Sequence, residues 1–231
     1  NNITLPIDDF FKFDQKALVS ATPIELNDPR FKEQNFKMIE IQPTFDYKKE
    51  LWLHHTNNTL QALKTVLSKL DNEEAAPLPI CVFINSTDII YSLMKQLDLL
   101  EDSAVFCAPK SVDKLKKNRF CNVYEEWNKD KMKRYNFFTS RFFNAVDMEL
   151  EEQPHVIMLT DVYFAEHTMI DPYTDAIQIV GRFRNGVSSI TYISNTKKGL
   201  PQRSKEEIKG YLICSKEIYR TMKNFYDCAT D

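Results

Sequence analysis

The side chains best suited to chemistry fall in a few short stretches of this 231-residue chain. Gln178-Ile179-Val180-Gly181-Arg182-Phe183-Arg184 carries two guanidinium groups, which remain charged and present a planar fork of donors suited to phosphate oxygens. Thr139-Ser140 supplies two hydroxyls, and Asp147 follows with a carboxylate able to accept two hydrogen bonds. Ser86-Thr87 closes an apolar run. Its hydroxyls, like those of Thr139 and Ser140, can hold a phosphate together with neighbouring backbone N–H groups or can cap a helix. Basic residues cluster from Lys110 to Arg119 (KSVDKLKKNR) and from Lys129 to Arg134 (KDKMKR), flanking Tyr124 and Trp127. Such clusters suit a solvated helical face and also a groove that tracks a phosphate backbone with an aromatic for stacking.

Other chemistry is missing from the sequence. Nothing matches G-x-x-x-x-G-K-[ST], the loop that wraps nucleotide phosphates. Only four glycines occur, Gly181, Gly186, Gly199 and Gly210, so no such loop lies earlier in the chain. The apolar run VIMLTD ends in Asp161 as a strand accompanying that loop would, but without the loop Asp161 reads as a connector or capping residue. Ala165-Glu166-His167 imitates an acidic box in the same way. His54-His55 has no partners at ligand spacing, and no metal is expected. The five cysteines are scattered without a C-x-x-C pair, which favours buried thiols and a reducing, cytoplasmic setting. The net charge of −3 excludes a protein basic all over, although not a local basic face. No apolar run approaches the roughly 20 residues of a membrane span, and the N-terminus has no secretory pattern. The absence of an initiator Met leads to the expectation that the chain begins inside a longer protein.

The elements that must position these groups follow from hydrophobic patterning. Short apolar runs of the buried-strand kind occur at 16–22 (KALVSAT), 80–85, 104–108, 135–139, 156–159 and 189–193, and MIEIQ at 38–42 alternates like an edge strand. Helical spacing appears at 59–70, through Leu60, Leu63, Val66, Leu67 and Leu70, and again after Ser86 and around 173–183. Strands alternating with helices predict βαβ units and a mostly parallel sheet. Residues 204–226 read as charged helix, with Gly210 as a possible break.

Three segments in order resemble the superfamily 2 helicases of the DEAD/DEAH-like kind. Ser20-Ala21-Thr22-Pro23 looks like motif III, Phe138 to Asp147 looks like motif V (T-S-x-x-x-x-G-x-D), and Gln178 to Arg184 is similar to motif VI (Q-x-x-G-R-x-x-R). The strand ending in Asn85-Ser86-Thr87-Asp88 sits where motif IV falls. The resemblance covers residues 16 to 195. It implies an α/β, three-layer RecA-like (P-loop NTPase-like) domain, the C-terminal half of a helicase. On that basis residues 1–22 are a tail of the first RecA-like domain, 23–37 an interdomain linker, 38–203 the C-terminal RecA-like domain, and 204–231 a helical extension.

The resemblance implies roles for particular residues. Arg182 is the expected arginine finger, acting on ATP held by another domain, and Arg184 is the second candidate. Asp147, Gln178 and Gly181 are expected at the nucleotide, and Thr139, Ser140, Ser86, Thr87 and Lys110 at the nucleic acid. ATP and Mg2+ belong to the intact parent, and none is expected in this fragment. The partners are nucleic acid, with DNA favoured over RNA, and the N-terminal RecA-like domain of the same chain; no membrane is expected. The sequence departs from the pattern twice. Ala145 stands where motif V has glycine, and the motif VI arginines are one position closer than usual. Two residues apart on a helix point to different sides, so Arg182 and Arg184 are not expected to act together. Two other functions compete: a RecA-like fold kept only for binding or scaffolding, and a doubly-wound nucleotide-binding enzyme, against which the missing glycine fingerprint counts.

Overall fold

The protein is described from a computed structural model, which covers residues 7–20, 22, 28–42, 44, 48–72, 77–144, 146–196, 199 and 201–229. Ala21, Pro23 and Ala145, on which parts of the motif III and motif V readings fall, lie outside the described residues. The chain divides into two units, residues 1–196 and 197–231.

The first unit opens with two short helices, α1 (Ile7–Phe10) and α2 (Pro29–Glu33). Asp28 caps α2 by accepting from the Arg30 N–H, with Pro29 pre-set for the first helical position. Phe10, Phe11, Phe31 and Phe36 pack ring against ring around them, with the Arg30 guanidinium 4.4 Å from the centre of the Phe11 ring. The run at 16–22 forms no strand in its described residues and is poorly packed, as a segment without a sheet of its own would be: residues 16–20 are non-helical and unpaired to any strand, and Val19 is 96% exposed. Residues 38–42 are likewise not a strand, and Met38, Ile39 and Ile41 face solvent. Alternation alone does not make a strand. A ladder partner must also lie alongside.

Seven strands then build one sheet: β1 (Trp52–His55), β2 (Ile80–Phe83), β3 (Ser103–Phe106), β4 (Val123–Tyr124), β5 (Tyr135–Phe138), β6 (His155–Thr160) and β7 (Ser189–Ser194). Their spatial order is β1-β7-β6-β2-β5-β3-β4, and every pairing is parallel. The expected class, α/β with helices on both faces of a parallel sheet, is therefore the class observed. The weakly patterned edge strands β1 and β4 are additions to the sequence reading.

Successive side chains of a strand point to opposite faces, and the two cores divide accordingly. Ile80, Val82, Val105, Phe137, Ile157 and Leu159 face one layer, against Leu63 and Val66 of α3 (Thr59–Asp71), Ile90 and Met94 of α4 (Thr87–Gln96), and Val112 and Leu115 of α5 (Pro109–Lys117). Cys81, Phe83, Phe106, Phe138, Val156 and Met158 face the other layer, against Phe142, Met148, and Ala176 and Ile179 of α6 (Asp175–Gly181). The Phe138 ring stacks between Phe83 and Phe106, with both centroids 4.9 Å away.

This layering decides where a ligand can bind. From β5 the chain leaves toward the Phe142 face, whereas β2 and β3 on either side send their connections, α4 and α5, to the opposite face. Adjacent strands whose connections part to opposite faces leave a crevice outside their carboxyl ends, the usual ligand position in open α/β sheets.

The second unit holds α7 (Lys205–Ala229), 25 residues long. No break occurs at Gly210. The helix runs through it, because a single interior glycine costs only about 1 kcal/mol relative to alanine. No helix among the described residues is long and apolar enough to cross a membrane.

Candidate phosphate and nucleic-acid site

The crevice flanking β5 is lined by Asn85, Ser86, Thr87, Asp88, Ala108, Ser111, Thr139, Ser140, Arg141 and His167, and encloses about 260 Å³. Four residues singled out from sequence, Ser86, Thr87, Thr139 and Ser140, are thus brought together from strand ends more than 50 positions apart. Ser86 caps α4, its hydroxyl accepting from the Ile89 N–H at 3.4 Å, so the capping alternative is realised for that side chain. Thr139 is buried and its N–H donates to the Phe106 carbonyl at 3.2 Å, while its hydroxyl caps nothing in the short turn Ser140–Phe142. Asn85 ties the walls together. It accepts from the Ser140 N–H at 3.3 Å and donates to the His167 carbonyl at 3.0 Å.

Arg141, Ser111 and His167 were missed in the sequence reading as site residues. Arg141 was legible, since it lies inside the Thr139–Asp147 stretch. His167 was not, because only the fold carries the β6–α6 connection to this crevice. Lys110 is exposed on the first turn of α5 and does not line the crevice. Its helix neighbour Lys114 is engaged by Asp88 at 2.6 Å. In the second basic cluster Arg134 is also spoken for, donating to Asp71 at 2.7 Å and to the backbone of Leu78. Lys131 lies over the Tyr124 ring at 5.8 Å.

The arginine stretch forms a separate constellation. Met148 makes an isolated parallel bridge to Phe183, its N–H donating to the Arg182 carbonyl at 2.8 Å and its carbonyl accepting from the Arg184 N–H at 3.3 Å. That bridge sets Asp147 beside both arginines. Arg182 Nη1 lies 3.2 Å from Asp147 Oδ1, and Arg184 Nη2 lies 2.8 Å from Oδ2. Arg182 also donates through Nε to the Gln178 carbonyl at 3.1 Å and through Nη2 to Gln178 Oε1 at 3.2 Å. Arg184 Nη1 reaches the Gly181 carbonyl at 3.3 Å.

This corrects the expectation that the two arginines diverge. That expectation assumed a continuing helix, but α6 stops at Gly181 and Arg182 is its cap residue, so Arg184 folds back to the same carboxylate. Gly181 itself is not demanded by packing, since a Cβ there would meet nothing within 4 Å.

Asp161, at the end of β6, is buried and belongs to neither constellation. It accepts from Thr59 Oγ1 at 2.9 Å and from Asn195 Nδ2 at 2.7 Å, pinning α3 and the end of β7 to the β6–α6 connection. In the core at the end of β3, burial pushes the Cys107 thiol up to about 12, with Arg141 pulling it the other way. Among the described residues no group of three His, Cys, Asp or Glu could hold a metal ion.

No protein-family model matches the chain, and no curated protein matches it. Among solved structures, it is similar to the C-terminal domain of the DEAD-box protein Dbp5, at 13% identity and a TM-score of 0.38, over 65% of this chain and 77% of that one. A likeness of that degree carries no argument for function.

Proposed function

We propose that this chain is the second motor domain of an ATP-dependent nucleic-acid helicase or translocase. In this reading it supplies the arginine finger and part of the nucleic-acid track, while an N-terminal RecA-like domain of the same chain holds the ATP phosphates. The observation that carries the reading is the convergence of Arg182 and Arg184 on Asp147, with Gln178 bracing Arg182 from the preceding turn. A guanidinium held this way is aimed by its neighbours and keeps its charge. Brought against a transferring phosphoryl group, it stabilises the charge that develops there.

The donor set fits half a nucleotide site. Guanidinium groups are present and the glycine loop is absent. ATP and Mg2+ would therefore be held mainly by the other domain, with Asp147, Gln178 and Gly181 at the edge of that site. The crevice, with hydroxyls, Arg141 and backbone N–H groups at strand ends, is suited to the phosphates of a nucleic-acid strand.

The test is turnover. A longer chain extended N-terminally through a phosphate loop hydrolyses ATP when nucleic acid is present, and Arg182→Ala abolishes that hydrolysis. Normal hydrolysis by the variant overturns the finger role, and hydrolysis by residues 1–231 alone overturns the half-motor reading. The competing reading, a non-catalytic binding module, is favoured by one observation: every guanidinium nitrogen of Arg182 already has an intramolecular acceptor. Under that reading the extended chain binds nucleic acid and leaves ATP intact.

A further inference from the structure

Between residues 48 and 196, large apolar side chains of the described residues stand exposed in only two stretches. The first is Leu51, Trp52 and Leu53, at the edge strand β1. The second is Tyr163, Phe164, Met169, Tyr173 and Ile177, on the β6–α6 connection and α6 itself. An isolated exposed apolar residue needs no explanation, but the connection that carries this second concentration also reaches the crevice. His167, on the same connection, lines the crevice and is held there by Asn85.

The connection is fixed at its base. Thr160, Asp161, Thr168 and Asn195 are buried beneath it and hydrogen-bonded to one another or to its backbone. The Asp161 carboxylate takes the N–H of Phe164 at 3.4 Å, and the Asp171 carboxylate takes the N–H of Tyr173 at 2.7 Å. Yet the rings themselves point to solvent, Phe164 being 86% and Tyr173 81% exposed. Anchored backbone beneath exposed aromatic faces, next to a polar crevice, is the arrangement that sequence-tolerant stacking of nucleobases requires.

We propose that residues 161–174 are a base-stacking platform for single-stranded nucleic acid. Phe164 and Tyr173 stack bases of a strand whose phosphates lie among Thr139, Ser140 and Arg141. This rests on the reading of the crevice as a phosphate track. A protein-docking patch would centre on a desolvated apolar core inside a polar rim, whereas the connection that carries these rings also carries His167, which lines a crevice of hydroxyls and an arginine. Duplex bases already stack on each other, so the ligand is single-stranded.

The test measures binding of the 231-residue chain to labelled oligothymidylate and to an abasic oligonucleotide of equal length, by fluorescence anisotropy. Phe164→Ala weakens oligothymidylate binding about tenfold, within the range of one lost base–aromatic contact, and leaves abasic binding unchanged. Phe164→Leu, which keeps bulk but not the ring face, behaves like the alanine variant. Arg141→Ala weakens binding of both ligands. If Phe164→Ala binds both as the parent does while Arg141→Ala loses both, the platform is wrong and the crevice reading stands. If the unmodified chain binds neither oligonucleotide, the crevice reading fails and takes the platform with it. A change in sedimentation of Phe164→Ala with no change in affinity also overturns the platform, making the loop a protein contact.

Discussion

The crevice and the arginine cluster solve the same problem, holding polar groups in place, by opposite means. Around the crevice, position comes from below: Thr139, Thr160, Asp161, Thr168 and Asn195 are buried, and their hydrogen bonds fix the connections that carry the exposed groups. At the arginine cluster, position comes from the charged groups themselves, with Asp147 and Arg184 half-exposed and joined by bonds that water can replace. The difference teaches that the first region is costly to rearrange and the second is cheap. A surface ion pair contributes only about 0–1 kcal/mol, so the half-exposed Arg184 can be re-aimed at a new anion for little free energy, while Arg182, more buried and bonded twice to Gln178, keeps its aim.

The contrast yields predictions of decreasing size. In a chain extended through a phosphate loop, Arg182→Ala lowers ATP turnover by about 10³-fold or more, the usual worth of an arginine finger, while its unfolding midpoint in urea stays near that of the parent. A large loss of stability instead would show that the cluster is structural. Asp161→Ala does the reverse. It strands the Thr59 hydroxyl and the Asn195 amide in a buried setting, costing about 1–3 kcal/mol for each unpaired group, read from urea unfolding of the 231-residue chain. A cost well below 1 kcal/mol would remove the contrast. Asp147→Asn shifts stability by less than about 1 kcal/mol, in the same assay.

The smallest effects are in thiol chemistry and alkaline pH. The thiolate is the reactive form, and burial pushes Cys107 up to about 12 and Cys81 higher still. At pH 8 a thiol reagent therefore labels the exposed Cys121, Cys214 and Cys228 and spares Cys81 and Cys107 until the chain unfolds. Rapid labelling of Cys107 would mean that the core at the end of β3 opens. Tyr135 is also raised to about 12, by burial and then by its hydrogen bond to Asp71. Both groups have folded values above their ordinary 9 and 10. Their contribution is thus complete below pH 9 and is lost as pH rises toward 12, which a series of urea titrations across that range would register.

The interior of the fold was largely legible. Runs such as ICVF at 80–83 are apolar on both sides because both faces of the parallel sheet are covered, and no other short element needs that pattern. The edges were not legible. Trp52–His55 is exposed along its whole length and looks like connector, while KALVSAT and MIEIQ look like strands and are not. For a marginal segment the deciding quantity is whether a partner lies alongside, and that is a tertiary fact. In the candidate site, residue types at strand ends were legible because a hydroxyl after an apolar run has few uses. The fold-back of Arg184 was not, since it depends on where α6 ends and on the Met148–Phe183 bridge.

The strand order also bears on how the chain is made. β2 sits at the centre of the sheet, between β5 and β6, yet it is the second strand to leave the ribosome. Roughly 70 residues separate the end of β2 from the start of β6, about 4–14 seconds of synthesis at ordinary rates. Throughout that interval Ile80, Cys81, Val82 and Phe83 have at most one of their two flanking ladders. The growing chain therefore carries an all-apolar strand incompletely paired over that interval, and the yield of native protein should rise with chaperone supply more than with any change to the finished surface.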